Sequence, residues 1–204
     1  MTLASADTLA ALELRSVPAG LVALDALVKE AEVSLRFASD IDPSHFLLVF
    51  EGDLASVEAG LRRAIAVAGG DVLESLLLPR AHADLRAALA GKLTPPAASA
   101  QAEHAIGVLQ CHTVIATLAA TDRALKVAEV ALLRLRCATE LAGQGHAVLC
   151  GEQSDVEAAL DAAREDAGAG VTVETRLIPR AAVETFSAAA QRPLGQRGLR
   201  PLDA

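Results

Sequence analysis

One pattern, A-x-D-x-x-x-K-x-A-E-V-x-L, is written twice in 204 residues. Ala23, Asp25, Lys29, Ala31, Glu32, Val33 and Leu35 recur as Ala120, Asp122, Lys126, Ala128, Glu129, Val130 and Leu132, at an offset of 97. A period near a hundred residues is the size of a small domain able to bury its own core. The echo therefore points to two domains built on one plan.

The copies run in step well beyond that pattern. Ala11–Leu14 and Val108–Cys111 are short strand-like runs, followed by Ser16 and Thr113, residue types that cap the helix that comes next. Leu21, Leu24, Leu27 and Val28 in one helix, and Ile115, Leu118 and Leu125 in the other, form apolar stripes. Glu32–Ser39 and Glu129–Thr139 read as strands. The turn-rich stretches Asp40–His45 and Ala142–His146 then interrupt, and Phe46–Gly52 and Ala147–Gly151 complete a hairpin in each copy. The offset has grown to 99 by this point, which is a loop insertion and not a change of plan. Ala55–Leu61 matches Ser154–Leu160 on a second helix, and Val72–Ala81 matches Val171–Ala181, with Pro79-Arg80-Ala81 repeated as Pro179-Arg180-Ala181. Proline after an apolar strand ends it and can start a helix.

Each copy thus reads β-α-β-β-α-β with a short final helix. That order predicts an α+β chain of two tandem ferredoxin-like (split β-α-β) domains, each a four-stranded antiparallel sheet with both main helices on one face. The domains are expected at residues 1–90 and 104–190, with a linker rich in Pro, Ala and Ser at 91–103 and a tail at 191–204. Sheets with an uncovered face and exposed edges gain by packing side by side or with other copies.

Charge and composition narrow the partners. A net charge of −8 opposes the counterion release on which nucleic-acid binding depends, and four Phe with no Trp or Tyr leave little to stack on bases. The one basic patch expected is the short Gln191–Arg200, so no nucleic-acid partner is expected. The first residues lack the pattern of a signal peptide, and no uncharged apolar run approaches the ~18–20 residues that span a bilayer. The expectation is a cytoplasmic protein with no membrane partner.

Motifs that carry chemistry are missing. The sequence holds no phosphate-binding G-x-x-x-x-G-K-[ST], no G-x-G-x-x-G between strand and helix, no H-E-x-x-H and no G-x-S-x-G. His45 and His146 close the two hairpin loops in corresponding places, either as a metal or proton site or as solvated polar residues. Cys111, Cys137 and Cys150 stand too far apart for a C-x-x-C site and read as small buried hydrophobes. Asp25–Lys29 and Asp122–Lys126 are i, i+4 pairs in the favourable order, worth ~0.3–0.5 kcal/mol when exposed. Alternatively each lysine sits at a subunit edge, its stem over neighbouring backbone and its ammonium on carbonyls.

Longer stretches carry a resemblance. Leu12–Val33 and Val108–Val130 resemble the opening motif of the bacterial microcompartment shell-protein family, a strand ending L-E-x-x-S-x-x-x-G that leads into a helix D-A-x-x-K-x-A-x-V. In the second copy Gln110 stands for the usual Glu, and the usual Gly is replaced at position 117. Phe50–Leu61 and Cys150–Leu160 resemble the family's G-D-x-x-x-V-x-x-A segment, and the likeness covers about residues 9–90 and 104–188. Two copies in the usual element order resemble the tandem, non-permuted members.

The resemblance implies a structural protein and not an enzyme: a homotrimer mimicking a hexamer, a six-sided tile that packs with other shell proteins around encapsulated enzymes. It implies a tile-edge role for Lys29 and Lys126. It also implies a central pore for small metabolites lined by Asp40, Ile41, Asp42, Pro43, Ser44 and His45 and by Ala142, Gly143, Gln144 and Gly145. Some tandem members hold an iron–sulfur cluster through a cysteine in this loop. Here Asp42 takes that position and none of the three cysteines falls there, so neither metal nor cofactor is expected. Two other readings stand beside this one. The same element order occurs in small-molecule-binding regulatory modules, since fold does not fix function. An enzyme would need His45 or His146 as general base, for which no nucleophile or carboxylate partner is evident.

Overall fold

The computed structural model describes residues 7–97, 104–137, 141–165 and 172–191. The expectations for residues 98–103 of the linker, for the tail at 192–204, and for Ala138, Thr139 and Val171 lie outside the described residues.

In the first copy the elements are β1 (Thr8–Leu14), α1 (Val17–Glu30), β2 (Ser34–Ile41), β3 (His45–Gly52), α2 (Leu54–Ala68), β4 (Val72–Leu78) and α3 (Ala83–Leu89). The second copy repeats them as β5 (Ala105–Cys111), α4 (Val114–Val127), β6 (Ala131–Cys137), β7 (Gly145–Gly151), α5 (Gln153–Glu165), β8 (Val173–Ile178) and α6 (Val183–Ala190). Two four-stranded antiparallel sheets result, ordered β2-β3-β1-β4 and β6-β7-β5-β8. The expected α+β architecture is the one observed. Two compact units divide between Ala81 and His82, so that α3 groups with the second unit and packs against α4 and β6.

Local chemistry explains the element ends. The Ser16 and Thr113 hydroxyls accept from the Ala19 and Ala116 N–H groups at 3.4 and 3.1 Å, capping α1 and α4. Glu32 and Glu129, expected at the starts of strands, fall in the helix–strand connections instead. The chain is already extended at Ala31 and Ala128 and uses these residues to cross from the helix layer to the sheet. The hairpins are also tighter than expected. Ile41 pairs with His45, and β7 begins at Gly145, so Asp40, Ile41, His45 and Gly145 stand in strands.

Side-chain alternation builds the cores. Ala10, Leu12 and Leu14 of β1 turn to the helix layer and meet Leu27, Phe46, Phe50 and Val57. In the second unit α6 lies on the face away from the long helices, where Phe186 packs with Ile106, Leu133, Val148 and Cys150.

The copies differ by a reciprocal exchange of size. A β-carbon built on Gly20 of α1 would lie 2.2 Å from the Phe46 ring. Leu14 opposes Phe46 and Cys111 opposes Gly145, so Phe46 and Gly145 are equivalent, as are Gly20 and Thr117 at the offset of 97. A β-carbon on Gly145 would lie 2.5 Å from the Thr117 hydroxyl. One copy sets a large strand residue against a bare helix backbone, and the other does the reverse. Thr117 is fully buried and satisfies its hydroxyl on the Thr113 carbonyl at 2.8 Å.

Candidate functional site

Three features distinguish the surface: the two hairpin tips, the outer flank of the first helix, and the lysines on that helix pair. The first hairpin turns through Asp42-Pro43-Ser44, with the Ser44 N–H on the Ile41 carbonyl at 2.9 Å and Ser44 at φ 86°. Asp40, Pro43 and Ser44 are exposed, Asp42 and His45 are half-buried, and Ile41 is buried. His45 Nδ1 lies 2.7 Å from Glu13 Oε1, and the second oxygen of this buried carboxylate has no hydrogen-bond partner among the described residues. His45 therefore has the carboxylate neighbour that was not evident in the sequence, because 32 residues separate the two.

In the second hairpin the Gln144 N–H reaches the Leu141 carbonyl at 2.9 Å, and both central residues, Ala142 and Gly143, have positive φ, at 51° and 78°. That is the backbone pattern of a tight two-residue hairpin turn, for which Gly suits the second position. Ala142 is exposed, Gln144 is half-buried, and Gly143 and Gly145 are buried.

The strand register corrects the pairing of histidines. With Phe46 equivalent to Gly145, His45 corresponds to Gln144, and His146 to Leu47. Gln144 accepts from Gln110 Nε2 at 2.9 Å, and Gln110 is the equivalent of Glu13. An acid–imidazole pair at one tip is thus a neutral amide pair at the other. His146 points instead to the sheet face beside Arg134 and Arg136. Burial, followed by those two guanidiniums, pushes its pKa down to about 4.

That shift makes a stability prediction. As pH falls, the unfolded chain binds a proton on His146 near 6.5 while the folded chain resists until about 4. Stability is complete above the unfolded value and is lost across this window. After screening at a half-exposed ring the expected loss is about 1 kcal/mol. Urea unfolding between pH 7 and 4 reads it, and His146→Asn should flatten that part of the profile.

The three cysteines are free and buried, and burial pushes Cys137 and Cys150 up to about 12 and 11. Thiols so far from ionisation are poor ligands and nucleophiles.

The helix flanks carry the largest contrast between copies. Leu21 of α1 is 54% exposed, and its equivalent Leu118 of α4 is fully buried. Val17 and Val28 are exposed where Val114 and Leu125 are buried. The ion pairs follow suit. Asp25 and Lys29, 2.7 Å apart, are both exposed, whereas Asp122, 2.5 Å from Lys126, is buried. Within the second unit, Asp122 also accepts the His82 N–H at 2.7 Å, and Asp84 accepts the Leu132 N–H at 3.4 Å. The segment that follows β4 thus caps the flank of α4. Beside Lys29, a shallow groove of about 340 Å³ runs between α1 and α2, lined by Val22, Asp25, Ala26, Arg63 and Val67.

Comparison with known proteins agrees with this geometry. The BMC domain family matches twice, over residues 8–81 and 105–181. The bacterial microcompartment shell protein PduT of Citrobacter freundii is 35% identical over 170 residues, covering 83% of this chain and 90% of that protein. The carboxysome shell protein CcmK2 of Synechococcus elongatus is 38% identical over 78 residues, covering 36% of this chain and 76% of that protein. Among solved structures, a microcompartment protein from Desulfitobacterium hafniense DCB superposes with a TM-score of 0.73 at 25% identity, over 84% of this chain and 93% of that one.

Proposed function

The chain belongs to the BMC-domain family and is a structural shell protein of bacterial microcompartments, and from that premise we propose that it works as a homotrimeric, six-sided tile with a central pore. The observation that carries the trimer is the contrast between α1 and α4. In the second unit the segment after β4 covers α4 and engages Asp122, while the same flank of α1 lies open. The segment after β8, leading into α6, is the repeat of the covering segment. Placed on α1 of another chain, it would set the Ala182 N–H against Asp25 as the His82 N–H meets Asp122.

Such a contact joins different surfaces, head to tail, and closes into a ring when the rotation fits. With two domains per chain, three chains complete six positions. The hairpin tips would then alternate around the axis, Asp40–His45 with Ala142–Gly145, and line a pore for small metabolites. Lys29 and Lys126 would face neighbouring tiles, where other shell proteins join. The relatives in the family are shell proteins, which supports a non-catalytic role in a shell that encloses enzymes in the cytoplasm.

Sedimentation of the purified chain is expected to give three times its 20.9 kDa mass. Leu21→Arg, at an already exposed position, should leave single folded chains. A wild-type monomer, or a trimer untouched by the substitution, would count against the α1 flank as the joint.

A further inference from the structure

The second sheet has a face the first does not. Across its strands one row of opposed residues reads Arg136, His146, Gln110 and Glu174, and the next reads Arg134, Val148, Val108 and Arg176. Opposed residues, and residues two apart on a strand, present their side chains to the same side. This is the side on which α6 lies, with Phe186 over Ile106, Val148 and Cys150.

Among the described residues the cover stops at Arg134. Its Nη1 donates to the carbonyls of Ala188 and Gln191 at 3.4 and 3.2 Å, at the end of α6, and its Nε is buried without a partner among the described residues. Beyond it, Arg136 and His146 are half-buried, and their side chains have no hydrogen-bond or ion-pair partner among the described residues. Glu174, the single carboxylate in these two rows, is held by Arg176 at 3.0 Å. It stands three strand spacings from Arg136, roughly 14 Å away.

Nothing in the fold requires this arrangement. The equivalent rows of the first sheet read Ser39, Leu47, Glu13 and Glu74, and Phe37, Val49, Ala11 and Leu76. Where the second copy has Arg134, Arg136, His146 and Arg176, the first has the uncharged Phe37, Ser39, Leu47 and Leu76, in a chain whose net charge is −8. Two guanidiniums crowded beside an imidazole repel one another, and burial adds to the cost. An oxyanion relieves both effects, because the planar guanidinium fork matches paired oxygens.

We propose that this face of the second domain binds a small oxyanion, the phosphate or carboxylate group of a solute, between Arg134, Arg136 and His146. The site goes beyond the shell reading and requires a single chain, so its test stands or falls apart from the trimer.

The test is a nuclear magnetic resonance titration of the full chain with inorganic phosphate and with acetate at pH 7, against chloride at equal ionic strength. Saturable shifts at His146 and Arg136 are expected, with affinity at least about tenfold weaker in Arg136→Gln. Tighter phosphate assigns a phosphate ester as the solute group, and tighter acetate assigns a carboxylate. A second measurement uses wild type alone. In sulfate, which stays a dianion in acid, the His146 titration should rise above its value of about 4 relative to chloride. Shifts that chloride reproduces, or that Arg136→Gln leaves unchanged, overturn the site. If that variant fails to fold, the wild-type sulfate titration decides.

Discussion

Gly20→Thr is expected to destabilise the first domain by about 3 kcal/mol or more, and Phe46→Gly by about 3–5 kcal/mol, yet the two together should cost far less than their sum. The threonine alone drives its β-carbon into a buried ring, since even an ideal Cβ at Gly20 falls 2.2 Å from Phe46. The glycine alone empties a space otherwise filled by a phenyl ring that is 3% exposed. Combined, they rebuild the arrangement of the second domain, where Thr117 stands over Gly145. The threonine hydroxyl would find the Ser16 carbonyl one turn back, as Thr117 finds that of Thr113. A double-mutant cycle by urea unfolding measures the coupling, expected at about 2–3 kcal/mol. Additive losses would mean that the exchange of size is incidental and that each domain solves its packing in some other way.

That exchange also shows where sequence reading stops. The plan of each copy was legible because it rests on local signals: Ser16 and Thr113 before apolar stripes, turn residues between strand-like runs, and Pro79 and Pro179 at strand ends. Partners distant in sequence were not. Gly20 and Phe46 meet only once the register of β3 is known. The same register reassigns His45 to Gln144 and joins His45 to Glu13. Arg134 and Arg136 sat inside an apparent core strand, LLRLRC; two apart, they share a face, and the bulge between Leu132 and Arg134 decides which one. No offset comparison reveals that, because the first copy has Phe37 and Ser39 there. Nor do the apolar stripes of α1 and α4 predict which is covered, as Leu21 and Leu118 are the same residue type in the same place. Exposure depends on what docks, and that lies outside the helix itself.

The difference between those helices separates the two lysines by experiment. Lys29 and Asp25 are 72% and 60% exposed, so their ion pair adds only ~0.3–0.5 kcal/mol to the fold. Lys29→Ala should leave unfolding of the single chain unchanged while abolishing two-dimensional sheets of tiles in negative-stain micrographs. Lys126 differs, because its partner Asp122 is buried and keeps only the His82 N–H once the ammonium is gone. A buried carboxylate deprived of its counter-charge costs about 1–3 kcal/mol, so Lys126→Ala should unfold earlier in urea as well as perturb assembly. Lys126→Ala with Asp122→Asn removes the stranded charge, and Asn can still accept the same N–H, so stability should return. Sheets that persist in Lys29→Ala would remove the edge role from that residue. Equal stability of Lys126→Ala and wild type would show that Asp122 does not depend on its lysine. The groove of about 340 Å³ beside Lys29 gives the edge contact a physical basis: Val22, Ala26 and Val67 offer apolar surface to an incoming stem, and Glu30 a carboxylate to its charge.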